Sequence, residues 1–437
     1  MRRADINSKL RDFAHSLSPT EIEQKFVSKV YGSLQEMLGN TNCIQIGSYP
    51  RYTATTPIHD LDILYVLGDW PQQGDLQDPD KILSDAAGLI QQNYKNFCPD
   101  NYTFTVGIQN HSVVVTFSGA RNFVVDVVPC YSFGQNSYGQ PMYKVPQIIK
   151  QRDRAKRRAE EWNPTDKNQW ISSDPRGYIK QAENVGINAD FRKAVKIVKF
   201  WKKTLRELDG GLKLKSFHLE QVITRQFQAN MNLDLLQGIF DFFLHLPDTI
   251  SNPDIIEDRA QAGKYIDDYL KDLTDAQKQI LEQARDNVLV SLEEITEGSS
   301  AEQIFTAATY ARNPDERFMF DEAVVMCNDP DSDLSEIRCD DQVNRRVARS
   351  STHSTNDEKL YFKLQISIRS GYQYYWKVKN SNKLAPDKRR GDITLGRTKN
   401  YPETTRYEGL HYVECYAVNN QNECESRSRH NVSIGDS

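Results

Sequence analysis

Behind Ser18-Pro19-Thr20-Glu21, apolar residues recur at Ile22, Phe26, Val30, Leu34 and Leu38 and stop at Gly39. That spacing predicts an amphipathic helix. Ser18 suits the cap, Pro19 the first helical position, and Glu21 a capping box. A short strand, Cys43-Ile44-Gln45-Ile46, then runs into Gly47-Ser48. Leu61 to Leu67 is a nearly continuous apolar run and predicts a central strand. Residues 82–94 have helical periodicity. Residues 102–108, 112–117 and 123–128 are β-branched or aromatic runs bounded by turn residues. The first third therefore reads as an α/β or α+β core.

The pattern then changes. Phe191, Val195, Val198, Trp201 and Leu205 share one helix face, closed by Asp209-Gly210-Gly211. Residues 217–231 read as a second helix and about 254–296 as an acidic helical stretch. From about 330 to 358 the chain is polar and rich in Ser, Thr, Asn and Arg, the composition of a linker. Residues 360–366, 374–378 and 411–418 read as strands of a small β-rich domain.

Composition narrows the class only slightly. Of 437 residues, 38% are apolar and 22 are glycine, which is globular rather than disordered. Sixty acidic residues against 55 basic ones leave a net charge of −5, so overall charge gives no reason to expect stable nucleic-acid binding. No signal-peptide pattern opens the chain and no run approaches 18 apolar residues, so a cytoplasmic protein with no membrane segment is expected. Seven cysteines without a CxxC pair indicate neither a disulfide framework nor a zinc ribbon. Lys144, Lys150, Arg152, Arg154, Lys156, Arg157 and Arg158 form a basic stretch, either a solvated face or a phosphate contact.

The chemistry concentrates in the first domain. On a strand Asp60 and Asp62 point the same way, with Leu61 behind them. Paired carboxylates repel unless a cation lies between them, and Mg²⁺ is the usual one when phosphates complete its shell. Asp126 is the single acid in the apolar run 123–128, where a charge is costly unless paired or metal-bound. Gly47 lets the backbone approach phosphate, and Ser48 offers a hydroxyl and N–H groups. A helix opening after that turn would add its dipole. Arg51 is placed to neutralise further phosphate charge.

Gly47-Ser48-Tyr49-Pro50-Arg51-Tyr52-Thr53 followed by His59-Asp60-Leu61-Asp62 resembles the DNA polymerase β-like nucleotidyltransferases, and within them the bacterial cGAS/DncV-like (SMODS) group. That resemblance implies an α+β fold: a nucleotidyltransferase core over 1–150, a helical lobe over 151–328, a linker over 329–357 and a sensor domain over 358–437. It implies template-independent joining of NTPs into a cyclic oligonucleotide second messenger of anti-phage defence (CBASS), which a downstream effector binds. The implied mechanism is two-metal phosphoryl transfer, with Mg²⁺ or Mn²⁺ held by Asp60, Asp62 and Asp126. Aligning Lys199-Phe200-Trp201 and Lys215-Ser216-Phe217-His218-Leu219-Glu220 carries triphosphate contacts to Lys199 and Ser216. It also carries base stacking to Phe217. Tyr375-Trp376-Lys377-Val378, Arg390-Gly391, Tyr407-Glu408-Gly409-Leu410-His411 and Val413-Glu414-Cys415-Tyr416 resemble the AGS-C sensor domain, whose ligand the sequence does not name. There Trp376 and Tyr375 read as core more readily than as a base platform. Three other readings stay open: a polymerase, protein-primed or not, making linear oligonucleotides or oligodeoxynucleotides from NTPs or dNTPs; a nucleotide sensor without turnover; and a nucleotidylating toxin.

Overall fold

A computed structural model describes residues 3–72, 76–148, 168–253, 255–293, 295 and 297–308. In the C-terminal region it describes 337–341, 347–348, 351–354, 359–364, 371–379, 393–396, 400–404, 409–418 and 424–434. Helices α1 (Arg3–Ser16) and α2 (Glu21–Leu38) open the chain, followed by strands β1 (Cys43–Ile46) and β2 (Asp60–Asp69). Helix α3 (Pro79–Asn93) leads to β3 (Thr103–Ile108), β4 (Val113–Ser118), β5 (Phe123–Gln135), β6 (Pro141–Gln147) and β7 (Gln169–Ser173). These strands form one sheet of order β1-β2-β5-β4-β3, with β6 on β5 and β7 on β6.

The α2 cap lies two residues beyond the expected one. Thr20, not Ser18, is the cap, and Glu23, not Glu21, closes the box. Glu23 does more than cap. Its carboxylate also accepts from the Thr56 hydroxyl and the Ile58 amide, tying the helix to the loop before β2. Burial pushes the Glu23 pKa up, but the bonds from Thr20, Thr56 and Ile58 outweigh it and lower the pKa. With that rotation Val27, Val30, Leu34 and Leu38 face the sheet, and Ile22 is left 74% exposed.

Helices α4 (Pro175–Val185), α5 (Ala189–Leu208), α6 (Ser216–Ala229), α7 (Leu235–Ser251), α8 (Asp275–Glu293) and α9 (Ala301–Phe305) make the second layer. Their core holds Phe191, Val198, Trp201, Phe227, Phe243 and Phe305. Ile6, Leu10 and Ala14 of α1 pack into that same core. The first residues of the chain thus complete the helical lobe rather than the sheet domain. Residues 255–274, expected to be helical, instead form a loop with an isolated bridge between Glu257 and Tyr265 and one 3-10 turn.

The C-terminal region contains β8 (Ile337–Asp341), β9 (Val347–Ala348), β10 (Ser351–Ser354), β11 (Lys359–Leu364), β12 (Gln373–Lys379), β13 (Ile393–Gly396), β14 (Asn400–Thr404), β15 (Gly409–Val418) and β16 (Cys424–Ile434). They form a five-stranded sheet, β10-β16-β15-β12-β13, and a four-stranded one, β14-β11-β8-β9. Leu360 and Phe362 from one sheet pack with Trp376, Val413 and Val432 from the other. Strands β8, β9 and β10 fall inside the span read as a linker: its polar composition hid short strands, of which β8 pairs with β11, β9 with β8 and β10 with β16. Trp376 is fully buried and so is core, as expected. Among the described residues no helix is long and apolar enough to cross a membrane.

Candidate active site

Strand β2 pairs with β5 in parallel, and its register places Asp62 beside Asp126 and Asp60 beside Val124. Alternation along each strand buries Leu61, Ile63, Val125 and Val127 on one face. It leaves Asp60, Asp62 and Asp126 on the other. On β1, Ile46 pairs with Asp62, so the Gly47-Ser48 turn begins directly beside that carboxylate. Gly47 has φ +79°, and a Cβ there would run into Oδ2 of Asp62. The glycine is required twice, by conformation and by this close approach.

The carboxylates crowd one another. Burial, then Asp60 and Asp126, push the Asp62 pKa up to about 7. Burial also raises Asp126, against the hydrogen bond that Ser112 donates at 2.9 Å, with Asp60 adding to the rise. A divalent cation is the chemistry that would relieve this repulsion, and an all-oxygen donor set suits Mg²⁺. Among the described residues, however, no three His, Cys, Asp or Glu side chains are already gathered tightly enough to hold an ion.

No helix follows the Gly47-Ser48 turn. Residues 48–53 form a closed turn in which Thr53 N donates to Ser48 O at 3.0 Å and Tyr52 has φ +60°. A buried charge cluster holds this turn to the helices. Glu220 of α6 accepts from Arg51 Nε at 2.6 Å, Lys199 Nζ at 2.8 Å and Thr53 Oγ1 at 2.9 Å. Lys199 also donates to Thr53 O at 3.0 Å. Burial pushes Glu220 up, yet Lys199 and Arg51 outweigh it and bring its pKa to about 2. Arg51, expected to help neutralise phosphate charge, is buried and ion-paired with Glu220. Two cations around one anion still leave one positive charge in excess.

A cavity of about 660 Å³ opens between sheet and helices. Gly47, Ser48, Arg51, Asp60, Asp62, Lys199, Ser216 and Phe217 all line it. Asp126 is not in the lining; it lies beside Asp62 in the sheet. Phe217 is engaged by the Tyr178 ring, edge-on at 4.8 Å, and by the Arg51 guanidinium, 5.5 Å from its centroid. Tyr178, Lys202, Arg206, Glu220 and Asp258, none of them singled out from the sequence, also line the cavity. For Lys202 and Arg206 a signal existed: they lie three and seven residues past Lys199, on the same helix face. Lys202 Nζ donates to Ser216 Oγ at 3.1 Å, so this cationic row reaches the start of α6. In the basic stretch, Lys144 is described: its ammonium lies 4.4 Å from the Phe133 ring centroid. Lys150, Arg152, Arg154, Lys156, Arg157 and Arg158 lie outside the described residues.

Several solved structures are similar to this chain. E. coli MS115-1 CdnC with ATP is 15% identical, with 70% of this chain and 99% of that one covered at a TM-score of 0.49. The E. coli MS115-1 CdnC:HORMA-deltaN complex gives 15%, 70%, 94% and 0.47. The Elizabethkingia meningoseptica CdnE cyclic dinucleotide synthase with GTP and Apcpp gives 18%, 56%, 85% and 0.39. At such scores the chemistry has to come from the residues of the cavity. No curated protein matches the chain in sequence. Residues 324–435 match the adenylyl/guanylyl and SMODS C-terminal sensor domain family, so the resemblance read from the C-terminal motifs is borne out there.

Proposed function

We propose that this chain is a template-independent nucleotidyltransferase that joins NTPs into an oligonucleotide signal, cyclic in its final form, for a separate effector of anti-phage defence. One observation carries the reading. Asp60 and Asp62 share a cavity with the Gly47-Ser48 turn, and the opposite wall bears Lys199, Lys202 and Arg206. Acids on one side suit a metal, and cations on the other suit a triphosphate.

Asp60, Asp62 and Asp126 would hold Mg²⁺ or Mn²⁺, which when bound supplies charge stabilisation to the phosphoryl oxygens and the leaving pyrophosphate. The chain's own groups do the rest. Ser48 and the backbone at Gly47 approach the phosphates, where a side chain at position 47 would block them. Lys202 and Ser216 contact the triphosphate, while Lys199 adds the excess charge of the Glu220 cluster. Asp126 accepts the proton of the attacking ribose hydroxyl.

The test incubates the purified chain with labelled NTPs and dNTPs, singly and mixed, with Mg²⁺ or Mn²⁺. Pyrophosphate release and a phosphatase-resistant product are expected, and both disappear in Asp60→Ala/Asp62→Ala. Unchanged turnover in that double variant would overturn the assignment. A ladder of phosphatase-sensitive products would make the chain a linear polymerase.

A further inference from the structure

Just outside the cavity, an exposed ring and two cations with no carboxylate partner lie together. Tyr52 stands between Arg51 and Thr53, which both line the cavity, but it is not itself part of the lining. It is 65% exposed and has φ +60°. A bulky side chain is uncommon in that left-handed conformation, and such strain concentrates at functional positions. The Arg192 guanidinium lies 4.8 Å from the centroid of the Tyr52 ring.

Arg192 and Lys196 carry the cationic row of α5 outward from the cavity. Arg192, Lys196 and Lys199 follow at steps of four and three residues, so they share a helix face. The nearby carboxylates are committed elsewhere. Asp190 pairs with Arg11 at 2.6 Å and Lys193 at 3.0 Å, and Glu220 pairs with Arg51 and Lys199. Among the described residues Arg192 and Lys196 enter no ion pair. Nε of Arg192 is buried without a hydrogen-bond partner, and Lys196 Nζ donates to Ser18 Oγ at 2.8 Å. Burial lowers the Lys196 pKa, and Arg192, Lys199 and Lys193 lower it further. An anion here relieves that crowding, as a metal would relieve the aspartates. Arg192 lies ten residues before Lys202, about 15 Å along the helix axis. A triphosphate held at Lys202 and Ser216 does not extend that far, whereas the next nucleotides of an oligonucleotide do.

We propose that Tyr52, Arg192 and Lys196 hold the linear oligonucleotide made in the cavity, Tyr52 stacking on a base while Arg192 and Lys196 take backbone phosphates. This rests on the nucleotidyltransferase reading of the cavity. An aromatic ring beside successive cations suits a single-stranded oligonucleotide whatever its bases, because every base has a stacking face and every linkage a charge. Arg192 over the ring also steadies Tyr52 in its strained conformation. With the 5′-triphosphate of the oligonucleotide in the cavity, its later nucleotides lie along the outer row. An enzyme that closes a ring has to keep the linear molecule until its two ends meet, and this site supplies that retention.

The experiment measures equilibrium binding to the full chain with Mg²⁺. The ligands are linear 5′-triphosphorylated trinucleotides of adenine, guanine, cytosine or uracil and the matching α,β-methylene NTPs. The trinucleotides end in a 2′,3′-dideoxyribose, so no bond can form. For at least one base the trinucleotide should bind about tenfold or more tighter than the mononucleotide, the scale of one stacked base. Tyr52→Gly suits φ +60° and so keeps the turn while removing the ring. Lys196→Gln removes a charge. Each should bring that ratio to within about threefold and leave mononucleotide affinity within about twofold of wild type. A wild-type ratio near one, which needs no variant, or an unchanged ratio in both folded variants, overturns the proposal while nucleotide binding stands. Equal loss of both ligand types in the variants also overturns it, since these residues would then belong to the triphosphate pocket. Failure of every nucleotide to bind removes the nucleotidyltransferase reading itself, and this one with it.

Discussion

Replacing Glu220 with Gln tests the cluster that joins the two lobes. Glu220 is 1% exposed and neutralises part of two buried cations, Arg51 and Lys199. A carboxyl whose pKa falls from 4.5 to about 2 on folding contributes roughly 3 kcal/mol. Removing one partner of a buried ion pair costs about 3–5 kcal/mol by an independent route. The sign follows from the lowered pKa: the contribution is complete above the unfolded value, near 4.5, and fades as pH falls toward about 2. Glutamine keeps the shape and an acceptor for Thr53, so the variant isolates the charge. Thermal melts from pH 7.5 down to 3 report it. At about 2–4 °C per kcal/mol for a domain of 150–250 residues, the variant should melt about 6–12 °C lower at pH 7.5. The gap should shrink below pH 4.5, and burial should drive the uncompensated Lys199 to shed its proton. A melting point within about 2 °C of wild type at pH 7.5, or a gap that does not respond to pH, would refute the reasoning.

Gly47→Ala places a Cβ against Oδ2 of Asp62 at a positive φ; pyrophosphate release should fall at least about 100-fold, with a stability loss of only about 1–2 kcal/mol in chemical denaturation. Asp62 has a pKa raised to about 7, so its ionisation works against the fold as pH rises from about 4 to 7. Asp62→Asn should therefore raise the melting temperature of the metal-free chain at pH 8 while abolishing turnover, and an unchanged or lower melting temperature would contradict the crowding described here. Trp376→Ala empties the centre of the C-terminal core and should cost about 3–5 kcal/mol in that domain. Proteolysis of the 337–434 region should accelerate while the N-terminal domain keeps its melting transition.

The parts of the fold legible in the sequence were those where one local signal determined one structural fact. Strand alternation placed Asp60 and Asp62 on one face, and the Phe191-to-Leu205 stripe gave α5 its buried side. The signals failed where a residue answers to a distant partner. Glu21 and Glu23 both satisfy a capping rule relative to a nearby hydroxyl. What selects Glu23 is a pair of donors, Thr56 and Ile58, more than thirty residues away. Helix α1 carries an ordinary apolar stripe whose partners, α5 and α7, arrive about two hundred residues later, so sequence adjacency alone does not show where it packs. The site divides in the same way. The acids and Gly47-Ser48 lie on neighbouring strands and are local, whereas Arg51, Lys199 and Glu220 become a single object only when α5 and α6 close over the turn. Arg51 was read from its place beside the turn as a cation for phosphate, and its ion pair with Glu220 in the cavity wall was not visible at that distance in sequence. Lys199, Lys202 and Arg206 form a cationic row along α5 in the cavity wall, of which Lys199 also pairs with Glu220. Its one-face spacing was visible all along, but it acquired meaning only from the cavity it lines.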